Sequence, residues 1–365
     1  MHILIFVIVI VALIVVHELG HFIAAKLSGM RVDEFGLGYP PKALTIGKWG
    51  GTEYTLNWLP FGGFVRIYGE DGAEGERSFT SKPRILQAVV LVAGIAMNML
   101  FAYVLITGAL VAGTPRALDE SEVATATHTE LAVADVLPGS PAARAGLLPG
   151  DSILKVVVNT PDMLGAWHAA DPKSFSTFIA ASDGHEVTLE VKRNGQEKSV
   201  VAAPAAGVVP ADPSRYALGV SVATIGVVPL SFTESLVQGA SLTWGATVLT
   251  ATGLAHFFYG VFTFSADLSQ VSGPVGIAGV VGNASAQGIG DLLSIMAIIS
   301  INLALINLIP IPALDGGRLL FVIIEGITRC PIKARIAQNV NAVSFAFLIL
   351  LMLVITAHDI FKIVG

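Results

Sequence analysis

The chain has 365 residues, 53% of them hydrophobic and only 13% charged, with a net charge of -6. Soluble domains carry about 25% charged residues, so an ordinary soluble enzyme, a disordered chain and a nucleic-acid binder with a basic footprint are excluded. A lone cysteine, Cys330, excludes an internal disulfide and a multi-cysteine metal site. What remains is an integral membrane protein with some soluble mass, whose surroundings are a lipid bilayer and whose partners do not include nucleic acid.

A membrane-spanning helix needs roughly 20 mostly apolar residues. The first such segment runs from about Ile3 to Ala25 and contains His17-Glu18-Leu19-Gly20-His21. In the loop that follows, Leu44–Ile46, Thr52–Trp58 and Gly62–Ile67 read as short strands, with Gly50-Gly51 as a turn. The second segment runs from about Ile85 to Val111 and includes Asn98. The third runs from about Leu292 to Leu314, interrupted by Asn302 and Asn307, and the fourth from about Val340 to Ala357. Lys26 to Arg84 holds eight basic residues, and the loop before the fourth segment holds Arg318, Arg329, Lys333 and Arg335. By the positive-inside rule these two loops are cytoplasmic, and the long central insert lies on the other side. Ser235 to Phe264, bounded by Glu234 and Asp267, reads as an interfacial amphipathic helix, because a fifth span would separate the two basic loops.

The insert begins with a compact region, 117–206. Glu186–Lys192 alternates like a strand, and Arg193-Asn194-Gly195-Gln196 offers an Asn-Gly hairpin turn. Gly139–Gly146 reads as a turn, a short helix and a glycine stop, and Leu148–Asp151 as a turn before the strand Ser152–Val158. Val136–Ala143, Ala145–Leu147 and Gly150–Leu154 resemble a PDZ domain of the kind attached to bacterial proteases. That resemblance implies either peptide docking by strand addition or a scaffold without a ligand. Pro204–Pro213, rich in Pro, Ala and Gly, reads as a linker.

The chemistry lies in the first segment. His17 and His21, four residues apart, share one face of a helix and can hold one metal ion, while Glu18 can reach a water polarised by it; this is the H-E-x-x-H zinc pattern. Three ionisable groups inside an apolar span are costly and mark a functional site. A catalytic zinc wants a third protein ligand. Asp315, at the end of the third segment among Pro310, Pro312, Gly316 and Gly317, is either that ligand or simply the start of a loop.

His17-Glu18-x-x-His21 followed by Leu314-Asp315-Gly316 resembles the site-2 protease family of intramembrane zinc metalloproteases, and the order of segments resembles its bacterial RseP-type members with a PDZ domain. The resemblance implies Zn2+ held by His17, His21 and Asp315, with Glu18 as catalytic base. It implies cleavage of single-pass membrane proteins within or near their spanning segment, as in regulated intramembrane proteolysis of an anti-sigma factor or of signal-peptide remnants. It also implies substrate-backbone binding by Asn307, for which helix packing is the alternative. Gly94–Asn98 matches a family Gly-Pro-x-x-Asn element in part, Ile95 replacing the proline, and helix–helix packing is the alternative role for Asn98. Ser272–Gly276 matches a segment with no evident chemical role.

The expected fold is thus an α-helical membrane protein with about four transmembrane helices, a small membrane-associated β-sheet and an inserted α+β PDZ domain. The expected division is 1–113 for the first two spans, 117–206 for the PDZ domain, 207–284 for the linker and interfacial segment, and 285–365 for the last two spans. The expected setting is a bacterial plasma (inner) membrane, with the PDZ domain extracytoplasmic and the zinc site near the cytoplasmic side. The alternative is a non-catalytic adaptor that recruits peptides through the PDZ domain.

Overall fold

The computed structural model describes residues 2–364 apart from 71–74, 159–165, 168–170, 194, 210–211, 229, 264, 266–271, 331 and 333. The chain divides into two compact units, residues 1–112 with 232–365, and residues 113–231 inserted between them. Asn194, Phe264, Asp267 and Lys333, named above in the turn, the interfacial segment and the charge count, lie outside the described residues.

The uninterrupted apolar run of the first segment forms α1 (His2–Leu27), which stops where Gly29 adopts φ +69°. The loop after it is a sheet built from two long strands, β1 (Val32–Trp49) and β2 (Thr52–Ile67). Each strand folds back on the other. Phe35 pairs with both Tyr54 and Val65, and Leu56 pairs with both Leu37 and Leu44. The run 32–37 is therefore central, flanked by 52–57 and 63–67, and 63–67 is an edge. The hairpin expectation captured only the later runs. Along 32–38 the buried positions are Val32, Glu34, Gly36 and Gly38, so polar and small residues occupy the inward face and no hydrophobic alternation appears. Glu34 is held there by the Thr55 hydroxyl at 2.7 Å and by Arg66 at 2.9 Å. The second segment forms α2 (Arg84–Val111).

In the inserted unit, β3 (Arg116–Ala117) and β4 (Thr127–Val136) precede α3 (Pro141–Ala145), which Ser140 caps through the Ala143 N–H and Gly146 ends at φ +82°. Then come β5 (Ser152–Val158), β6 (Ala166–Trp167), α4 (Pro172–Ala181), β7 (Val187–Arg193), β8 (Gln196–Ala202) and β9 (Val220–Val227). The sheet order is β3-β9-β4-β5-β7-β8, with β6 on β5. This corrects the boundary at 206. β9 pairs with β4 from Thr127 to Val136, and Leu218 belongs to the same core as Leu131, Ile153, Val156 and Leu189. The Pro- and Gly-rich stretch read as a linker is a connection inside the domain, whose last strand returns to pair with β4, with only the two-residue β3 beyond it.

The first unit resumes with α5 (Phe232–Phe262), α6 (Pro274–Gln287), α7 (Ile289–Leu308), α8 (Asp315–Thr328) and α9 (Ala334–Val364). Four helices among the described residues are long and apolar enough to cross a membrane: α1, α2, α7 and α9. α5 is not among them; it packs on α2, where Gly239 meets Thr107 and the Tyr103 hydroxyl donates to the Leu236 carbonyl at 3.2 Å. The third segment is shorter than expected. Its helix ends at Leu308, ahead of Pro310 and Pro312, and a separate helix begins at Asp315. Ala102, Leu105, Ala297 and Ile301 lock α2 to α7, and Val9, Leu13 and Val281 lock α1 to α6. Ala25, Met30, Val32, Ile67, Val90 and Val322 join α1, the sheet, α2 and α8 in one core.

Candidate metal centre

On α1, His17 and His21 stack one turn apart, with ring centroids 4.7 Å apart and ring planes nearly perpendicular. Both are buried. Asp315 reaches them from 298 and 294 residues further along the chain. Its Oδ2 lies 2.9 Å from His17 Nε2 and 3.2 Å from His21 Nε2, and the two Nε2 atoms are 3.1 Å apart. A tetrahedral zinc with bonds of about 2.0–2.1 Å spaces its ligand atoms about 3.3 Å apart. Two imidazoles and one carboxylate converging at nearly that spacing fit a zinc ion. Among the described residues no other group of three such side chains is gathered closely enough to hold a metal.

Asp315 is turned inward by the chain that carries it. After α7, Ile309 is extended, the Ile311 N–H donates to the Ile309 carbonyl and the Leu314 N–H to the Ile311 carbonyl, and Asp315 opens α8. Asp315 therefore begins a helix and not a loop. Gly316 and Gly317 follow because α8 starts against this connection. A Cβ on Gly316 would collide with the carbonyls of Leu308 and Ile309, and one on Gly317 with that of Ile311. Arg318 then pairs with Glu70 at 2.5 Å, and Arg84 with Glu325 at 2.8 Å, which fixes α8 beside the sheet and α2.

Glu18 lies beside these ligands, where the Val65 N–H on the edge run of the sheet donates to its carboxylate. Gly63, two residues earlier, packs near Glu18 Cγ and Ile14. The structure brings together His17, Glu18, His21 and Asp315. Asn307 lies on the last turn of α7, half-buried, with no described hydrogen bond to that group.

Of the wall behind the histidines, sequence reasoning named Gly94 and Asn98 through a partial family match and missed Val90. His21 Nδ1–H donates to the Val90 carbonyl at 2.8 Å, which leaves Nε2 free to ligate. Gly94 faces both rings, and Asn98 Nδ2 lies 3.2 Å from His17 Nδ1. Val90, Gly94 and Asn98 are spaced four apart on one stripe of α2. A glycine and an asparagine four residues apart in an apolar span were the available signal; a backbone carbonyl leaves none.

The model of peptidase family M50 matches residues 5–351. A protein of Clostridium perfringens named as a zinc metalloprotease is 35% identical over 351 residues, covering 96% of this chain and 95% of its own. One from Nostoc, named likewise, is 32% identical over 363 residues, covering 93% and 91%. The zinc metalloprotease RasP of Geobacillus kaustophilus is 30% identical over 441 residues, covering 98% and 97%. These names do not favour the adaptor alternative. The match extends from the first apolar helix through the segment bearing Asp315, and with it the chain belongs to peptidase family M50, the site-2 protease family, as a membrane zinc metalloprotease.

Proposed function

We propose that the protein is an intramembrane endopeptidase of a bacterial plasma membrane that cuts single-pass membrane proteins within or near their spanning segment. The observation that carries this reading is the position of the H-E-x-x-H turn inside a 25-residue apolar helix that meets Asp315. A water-requiring reaction built at that depth makes sense only for a substrate that is itself in the bilayer.

His17, His21 and Asp315 would hold the zinc. When bound, zinc supplies Lewis-acid polarisation of the scissile carbonyl and of the attacking water. Glu18 takes the proton from that water and returns one to the leaving amine. The Val65 N–H keeps the Glu18 carboxylate oriented toward the site. A substrate helix must unwind before it is cut, and its freed backbone groups need partners. The edge run 63–67 beside Glu18 offers strand pairing, and Asn307 offers an amide.

The inserted unit supports a PDZ reading. A groove of about 470 Å³ lies between α4 and β9, lined by Phe175, Ile179, Val208, Tyr216, Leu218 and Val220. β9 is covered by β4 on one side but by β3 only at 225–226 on the other, so an extended peptide has an edge to join. In this reading the insert is extracytoplasmic and the zinc site faces the cytoplasmic side.

The test is a tagged single-span protein reconstituted with the enzyme in lipid vesicles, with zinc counted per chain. Wild type is expected to hold one zinc and cut within or beside the span, Glu18→Gln to hold zinc without cutting, and Asp315→Ala to lose zinc. Cutting confined to soluble polypeptides would overturn the intramembrane reading, and undiminished turnover by Glu18→Gln would overturn the base.

A further inference from the structure

We infer that Asn98 is the positioning residue for His17, fixing which ring nitrogen is presented to the metal; this rests on the reading of His17, His21 and Asp315 as zinc ligands. His21 has its orienting partner in the Val90 carbonyl. The Nδ1 of His17 faces the side chain of Asn98 at 3.2 Å. Asn98 is fully buried, and its Oδ1 has no partner among the described residues. Simple interhelical packing in an apolar span does not need an amide at this position, and an incompletely satisfied one is costly there.

The two ends of an amide are nearly the same size. With Nδ2 toward the ring, Asn98 donates to Nδ1, and His17 Nε2–H is directed at Asp315. Rotated half a turn, Asn98 Oδ1 accepts from Nδ1–H, and the Nε2 lone pair is free for zinc. Asparagine serves both arrangements without placing another charge in the membrane, which aspartate does not. The residue is itself held. The Ser300 hydroxyl of α7 donates to the Asn98 carbonyl at 2.8 Å, and Ser300 is also fully buried. This ties the turn that orients His17 to the helix whose exit carries Asp315.

The test uses the full chain in mild detergent. Zinc affinity is measured by competition with a chelator, and the site is read by the ligand-field spectrum of the cobalt-substituted protein. Asn98→Leu, close in size but unable to accept, is expected to bind zinc about 10–100-fold more weakly, the usual effect of losing an outer-shell partner, with a shifted cobalt spectrum. Asn98→Asp, which can accept from Nδ1–H, is expected to restore wild-type affinity and spectrum. Asn98→Ala, which cannot clash, carries the same expectation as the leucine variant if that one fails to fold. Wild-type affinity and spectrum in Asn98→Leu or Asn98→Ala would overturn the inference, as would equal losses in Asn98→Asp, because they would make the role one of packing. A wild-type chain that takes up no zinc would overturn the ligand assignment itself, whereas zinc in the wild type and in an unaffected Asn98 variant overturns this inference alone.

Discussion

Gly94 of α2 lies so close to His21 of α1 that a side chain at 94 would overlap the imidazole Nε2 and come within 2.8 Å of His17 Cε1. The same crossing brings Gly20 against the backbone of Ala93 and Gly94. Two glycines thus let the helices approach until backbone on α2 meets ring nitrogens on α1. Gly94→Ala is expected to weaken zinc binding by about 5- to 150-fold, the equivalent of an overpacking cost of about 1–3 kcal/mol. Gly245→Ala, on α5 with nothing within 4 Å of its Cβ position, is the control and is expected to leave zinc binding unchanged. Chelator competition on the two variants decides the matter, and equal affinities would show that the α1–α2 contact yields without disturbing the site.

The contact of Val65 with Glu18 predicts a separation of metal binding from turnover. Val65 lies on an edge run, and its N–H bonds the Glu18 carboxylate. Proline is tolerated at an edge position whose N–H is not part of the ladder. Val65→Pro is expected to keep zinc and lower kcat by up to about 10-fold, matching a net hydrogen bond of about 0.5–1.5 kcal/mol. Val65→Ala keeps the N–H and is expected to stay near wild type. Loss of zinc in the proline variant would mean that the edge run supports the fold of the site and not Glu18 alone.

The parts of this site that were legible in the sequence are those carried by side chains at short spacing. His17, Glu18 and His21 announce themselves because four residues make one helical turn and because charge is rare in an apolar run. Asp315 was visible only as a carboxylate among prolines and glycines; that it faces the histidines depends on the turn from Ile309 to Leu314, which composition does not describe. Val90 and Val65 act through backbone atoms and leave no residue-type signal. The same limit applies to the fold. The apolar helices were evident from length, but the central run 32–37 buries Glu34 and glycines, and β9 rejoins its sheet across a stretch that reads locally as a linker.

The Ser272–Gly276 segment acquires a physical role from Asp359. The Asp359 carboxylate, buried on α9, accepts from the Gly276 N–H at 2.8 Å in the first turn of α6. A Cβ on Gly273 would lie 2.9 Å from its Oδ2, and one on Gly276 3.2 Å away, so a side chain at either position would crowd the carboxylate. The carboxylate satisfies an N–H that the helix itself leaves unbonded and meets the positive end of the α6 dipole. Asp359→Ala is expected to cost about 0.5–2 kcal/mol at this helix end, seen as hydrogen exchange in the first turn of α6 that is faster by up to about 30-fold. Asp359→Asn, which can still accept, is expected to fall between the two. Exchange unchanged in Asp359→Ala would show that α6 is held by its packing on Val9 and Leu13 alone.

Asp151 and Arg193 give the inserted unit a pH-dependent clasp. The Asp151 carboxylate is almost fully buried and accepts from Arg193 Nε and Nη2, both at 2.6 Å, and from the Leu148 N–H at 2.9 Å. Arg193 also donates to the Gly146 carbonyl at 2.7 Å, so one guanidinium joins β7 to the turns on both sides of Leu147. Burial pushes the Asp151 carboxyl up, but the guanidinium and the amide outweigh it and hold it below its ordinary value of 3.8. A depressed carboxylate stabilises the fold above its unfolded pKa and loses that contribution as pH falls through the folded one. At pH 7, Asp151→Asn is therefore expected to destabilise residues 113–231 by about 1.5–3 kcal/mol. The difference from wild type is expected to shrink as pH falls below 3.8. Hydrogen exchange of β5 and β7 in the full chain, followed from pH 7 downward, measures it. A gap that stays constant with pH would mean that shape and neutral hydrogen bonds, and not the charge on Asp151, hold these strands to the turn.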